Sequence, residues 1–175
     1  MIRSLKKFYD RRSQTEKKRE KAMAREEKIE EIRQRARKNF SLGYNCAECV
    51  TQAVFALVDT GLPPAVQKCA TGFGGGIGLF GDTCGALNGA VMAVSAVHGR
   101  ALLPEGNDPK EVVKKSRQQL YGKPGVYRIF NQIPTAFRKN SIIRNAGSCP
   151  ENGSPNGSAA TTPFSAAKSL RMLRA

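Results

Sequence analysis

Four cysteines stand where sulfur chemistry could be assembled: Cys46, Cys49, Cys69 and Cys84, the first two spaced i, i+3 and the last two bracketing glycines at 72, 74, 75, 76, 78 and 81. A thiolate is a soft metal ligand and also the attacking group in thiol–disulfide exchange, so the set admits either a metal-holding site or a redox dithiol. Residues without a side chain tolerate positive φ and let other groups approach the backbone. The glycine run therefore predicts a tight, ligand-facing loop, with Gly74, Gly75, Gly76 and Gly78 as its backbone contacts. Gly85 and Gly89 follow in Cys84-Gly-Ala-Leu-Asn-Gly89 and extend the same open surface. Cys84 falls at an expected helix start, where unpaired N–H groups favour a thiolate. It is the first candidate for the reactive or ligating sulfur, and Cys46 is the second. Cys49 reads either as a small buried residue or as a ligand, and Cys69 either as a buried residue or as an accessory ligand or resolving thiol.

Several chemistries are excluded by what stands next to these residues. Cys46-Ala-Glu-Cys49 is followed by Val50 where covalent haem attachment needs histidine. His98 is the chain's one histidine, so neither a three-histidine metal site nor a serine hydrolase triad can be built. It sits near an expected helix end, where it can meet terminal carbonyls. The Gly74-x-Gly76 pattern resembles nucleotide-binding fingerprints only loosely, with no preceding strand and no Gly-Lys-Ser/Thr ending, so a nucleotide loop ranks as the third option.

The elements that must position the sulfurs are helical. Asn45 is an expected cap, and Cys46, Val50, Ala53, Val54, Leu57 and Val58 recur at intervals of three and four, the pattern of a core-facing stripe. Gly61-Leu-Pro-Pro64 ends that helix, and Ala65–Thr71 supplies a short one. From Cys84 to His98 the small residues Gly85, Ala86, Gly89, Ala90 and Ala93 share a face on which a neighbouring helix can approach closely, with Leu87, Val91 and Val94 beside it. Asp108 before Pro109 predicts a capped helix to about Tyr121. Gly122–Gly125 interrupts, and helix resumes over Val126–Phe137 with Tyr127, Phe130 and Phe137 as anchors.

The run Gly-Phe-Gly-Gly-Gly-Ile-Gly at 72 to 78, Cys-Gly-Ala-x-x-Gly at 84 to 89, and Tyr-Asn-Cys at 44 to 46 together resemble the redox-active C-GCAxxG-C-C family, over about residues 39 to 137. The resemblance implies four cysteines, of which Cys46 and Cys84 match the first two; the last two have no counterpart. It implies a redox or cofactor-holding role. An iron–sulfur centre, a haem or another metal all stay open as the cofactor, and a redox protein stands as the partner.

Charge divides the chain. Residues 1–38 are net +8, 39–107 net −2, 108–137 net +4 and 138–175 net +5 of an overall +15. The first 38 residues, rich in Glu, Lys, Arg and Ala and without Gly or Pro, predict a charged helical extension that buries only a narrow stripe. Its basic flank is the support for an alternative reading as a binding module for nucleic acid or an acidic partner. No groove-reading motif is present, so nucleic acid is not an expected partner. No apolar run reaches the roughly 20 residues of a membrane span, and the expectation is a cytoplasmic protein, with self-association left open.

Beyond about Arg138 the composition turns to Gly, Ser, Pro, Asn and Thr, which cannot support a core and predicts a disordered tail. Reading each codon one base out of step regenerates, with permitted wobble choices, cysteines across Asn145/Ala146, Ser158/Ala159 and Ser165/Ala166 in helical surroundings. A frameshift in the gene is the expectation, with Cys149 its accidental product and an inactive chain one outcome. The whole reads as an all-α protein: a charged helical extension over 1–38, a cysteine-containing helical domain with a glycine-rich loop over 39–137, and a low-complexity tail over 138–175.

Overall fold

A computed structural model of the chain describes residues 2–140, with side chains from 14 to 138. The low-complexity tail, Cys149 and the shifted-frame residues lie outside the described residues. What is described is helical, without strands.

Helix α1 runs unbroken over Ile2–Ser41. No glycine or proline interrupts it, and Glu31 with Arg35 and Glu30 with Arg33 form ion pairs one turn apart, both at 3.0 Å. Residues 14–28 are all exposed, whereas Ile29, Ile32, Ala36 and Asn39 are buried. The helix thus enters the core well before the change of composition at residue 39. It ends because Gly43 adopts φ +86°, which lets Gly43 N–H bond to Phe40 O at 3.0 Å and Tyr44 N–H to Asn39 O at 3.2 Å. These two bonds close a glycine C-cap of the Schellman type.

Two residues later the chain starts α2, Cys46–Phe55. Asn45 caps it: its Oδ1 accepts from Ala47 N–H and Glu48 N–H, each at 3.0 Å, while Glu48 Oε2 accepts from Asn45 N–H at 3.0 Å. That reciprocal arrangement satisfies donors the helix itself leaves free. A 3-10 turn over Pro64–Gln67 leads into α3, Lys68–Thr71, and the glycine loop then leads to α4, Gly85–His98. Helix α2 is the centre of the molecule, with α1 on one flank and α4 on the other. Its Val50, Ala53 and Val54 meet Ile32 and Ala36 from α1 and Ala86, Ala90, Ala93 and Val94 from α4. Each fully buried Val or Ile of this kind contributes about 1.5–3 kcal/mol.

Helix α5, Pro109–Tyr121, begins as its residues require, with Asp108 Oδ1 accepting from Lys110 N–H at 2.9 Å. It buries no residue fully; Arg100 donates to Ser116 Oγ at 3.0 Å and ties it to the end of α4. The last expected helix is divided into α6, Tyr127–Phe130, and α7, Gln132–Asn140. Pro134 explains the division, since its ring would strike the carbonyl of Phe130 in a continuous helix but is tolerated in the first turn of a new one. Ile133 and Phe137 from α7 complete the core beside α4.

Candidate functional site

The site forms where α4 crosses α2 with almost nothing between the backbones. A Cβ placed on Gly85 would lie 2.6 Å from Phe73 O, 3.3 Å from Cys46 Cβ and 3.4 Å from Ala47 N. One on Gly89 would lie 2.7 Å from Ala47 O and 3.1 Å from Val50 Cβ. No side chain fits at either position. These two glycines therefore set the helix–helix approach, and that approach carries Cys84, the residue just before α4, to the first residue of α2, Cys46.

The charge of Cys84 bears on the Cys46 thiol. Burial pushes the Cys46 thiol above its ordinary range, and a negative charge on Cys84 pushes it the same way. The backbone N–H groups of Cys46 itself and of Gly75 favour the thiolate and offset part of the rise. The helix-start position expected for Cys84 is occupied twice over: Cys84 is the cap residue of α4 and Cys46 opens α2. Their exposure differs. Cys84 is 3% exposed, while Cys46 is half-buried and is the more accessible residue of the pair.

The other candidates part company with this pair. Cys49 is fully buried, and burial first, then the charges of Cys46 and Glu48, pushes its thiol up to about 12. It stays protonated and donates to Tyr44 O at 3.4 Å. Cys69 is exposed on α3. His98 closes α4, about 20 Å along the helix axis from Cys84. Among the described residues no three Cys, His, Asp or Glu side chains converge as a metal-holding group.

The glycine loop is a left-handed turn. Gly75, Gly76, Ile77, Gly78 and Leu79 all have positive φ, between 59° and 75°. Its N–H groups turn inward: Gly78 bonds to Gly72 O at 2.9 Å, Leu79 to Gly74 O at 3.1 Å and Gly81 to Gly76 O at 3.1 Å. Gly75 is the loop residue whose N–H favours the Cys46 thiolate. The space a side chain would need at Gly74 is filled by Asn45, 2.9 Å away.

One set of residues was not legible in the chain. Thr71 Oγ1 donates to Glu48 Oε1 at 2.7 Å, and Asn45 Nδ2 donates to Thr71 O at 3.1 Å. Together with the cap, these bonds fasten the start of the glycine loop to the first turn of α2. The Asn45-x-x-Glu48 spacing signals the cap, but nothing local signals that Thr71 joins it.

A family model described as "Putative redox-active protein (C_GCAxxG_C_C)" matches residues 44–169. The match runs past Phe137, where the motif resemblance ends. No curated protein matches the chain, and no solved structure matches it.

Proposed function

The chain belongs to this C_GCAxxG_C_C redox family, and from that premise we propose that Cys46 and Cys84 act as a dithiol/disulfide pair in thiol exchange. The supporting observation is their juxtaposition across the glycine contact of α2 and α4, with the charge of Cys84 bearing on the Cys46 thiol. Cys46 has the access and Cys84 the shelter, so Cys46 is the sulfur that meets a partner and Cys84 the one that resolves. This reverses the order of importance expected from the chain alone.

The step balances as follows. The Cys46 thiolate attacks one sulfur of a partner disulfide, forming a mixed disulfide and releasing the other partner sulfur as a thiolate. The Cys84 thiolate then attacks Cys46 Sγ, closing a Cys46–Cys84 bond and releasing the second partner thiolate. Two electrons pass to the partner, and the two cysteine protons end on its thiolates. The reverse sequence reduces the pair.

Oxidation of the full-length protein with oxidised glutathione, followed by non-reducing peptide mass spectrometry, tests the reading. The expected product is a Cys46–Cys84 cross-link, restored to two thiols by dithiothreitol and absent in Cys46→Ser and Cys84→Ser. A Cys46–Cys49 link in its place, or two sulfurs that stay glutathionylated or free, would sink it.

A further inference from the structure

The exposed part of α1 carries a charge pattern that thiol exchange does not use. Lys18, Lys21, Arg25 and Lys28 follow one another at intervals of three and four. At 100° per residue they fall within an arc of about 80° and span about 15 Å of axis. Lys17 flanks the arc. The same seam continues into Ile32, Ala36 and Asn39, which are buried in the core. Glu16, Glu20, Glu27 and Glu31 lie about 130° around the helix, on its far side. The segregation matters because the cations are not neutralised by acids one turn away: Lys17, Lys18, Lys21, Arg25 and Lys28 form no ion pair with any described residue. Every residue from 14 to 28 is exposed.

We infer that this basic seam binds the phosphate backbone of a nucleic-acid duplex. A straight row of cations matches a polymer that carries about one negative charge per 1.7 Å of axis. Other occupants fit less well. A second copy meeting the seam by two-fold symmetry would set cations against cations. Insertion into a lipid surface needs an apolar helix face, and within 14–28 the apolar residues are Ala22, Met23 and Ala24, which adjoin in sequence and so scatter around the helix, leaving only charge to hold a bilayer. The contact would be to phosphates alone, without base readout, in agreement with the lack of a groove-reading motif.

The test is fluorescence anisotropy of full-length protein with a labelled random-sequence DNA duplex. With three to four phosphates neutralised at a slope of about 0.9 each, affinity should fall about 40- to 150-fold between 50 and 200 mM salt. The variant Lys18→Glu/Lys21→Glu/Arg25→Glu should abolish binding while circular dichroism shows the helix intact. Lys114→Glu/Lys115→Glu on α5 should retain most of it. Equal losses in the two variants would mean that bulk charge is responsible and would overturn the proposal. So would no binding at 50 mM salt, or tighter binding to phosphatidylserine vesicles or to poly-glutamate than to the duplex. The Cys46–Cys84 cross-link is read separately and should form in all of these variants.

Discussion

Gly85 stands in the place where a side chain would collide with Cys46: a Cβ there would come within 3.3 Å of Cys46 Cβ and 2.6 Å of the Phe73 carbonyl oxygen. The second contact is to backbone, which cannot swing aside. Gly85→Ala should therefore force α4 away from α2 and destabilise the protein by about 1–3 kcal/mol, the usual cost of overpacking. Thermal unfolding reads the loss, and glutathione oxidation should yield less of the Cys46–Cys84 cross-link. An unchanged melting temperature would show that the two helices do not meet as closely as described.

Cys46 alkylation should lag behind that of an ordinary thiol at neutral pH and increase as pH passes above the usual thiol range, because burial and Cys84 both disfavour the thiolate. Cys84→Ser removes the second cause and leaves the first. The midpoint of Cys46 reactivity should then move down. Iodoacetamide kinetics against pH, followed on the Cys46 peptide, give the answer; an upward move or no move in Cys84→Ser would separate the two sulfurs.

Cys49 makes stability fall at high pH. Its thiol is pushed from 9.0 in the ordinary case to about 12 in the fold, so between these values the unfolded chain loses a proton that the folded chain keeps. The stabilisation is fully present below about pH 9 and disappears as pH rises towards 12. Denaturant midpoints measured from pH 8 to 11 should fall less steeply in Cys49→Ala than in the parent. Cross-linking of Cys46 to Cys84 should persist in that variant, since the buried Cys49 thiol is occupied with Tyr44 O.

Thr71 ties the start of the glycine loop to the helix turn that Cys46 opens. Thr71→Val breaks the bond to Glu48 and should cost about 1 kcal/mol. The loop start would then be held to α2 by the Asn45 Nδ2 bond to Thr71 O alone, and the Gly75 N–H that favours the Cys46 thiolate would be held less firmly. The midpoint of Cys46 alkylation should rise. A loss of stability with no change in that midpoint would reduce Thr71 to a structural role, and Thr71→Ser should restore both.

Ile77 is β-branched, half exposed and held at φ +63°. The left-handed region costs an L-residue about 1–2 kcal/mol, part of which glycine gives back through its freer unfolded chain. Ile77→Gly should raise stability by about 1 kcal/mol or slightly less. Urea unfolding that shows a lower midpoint would mean that the side chain makes a contact the fold needs.

Much of this architecture could be read along the chain because its signals are local. Asn45 and Glu48 announce a helix start, Asp108 and Pro109 announce another, and the small residues from Gly85 to Ala93 announce a face that must lie against a neighbour. The family motif likewise selected Cys46 and Cys84 before any geometry was known. What a local pattern does not contain is distance across the fold. Only packing decided that Gly85 and Gly89 serve the α2 contact, that Cys84 is sheltered and Cys46 open, that Cys49 faces the core, and that Thr71 closes a network begun at Asn45. Periodicity records which face of a helix is apolar, whereas exposure and charge coupling depend on what the rest of the chain brings against that face.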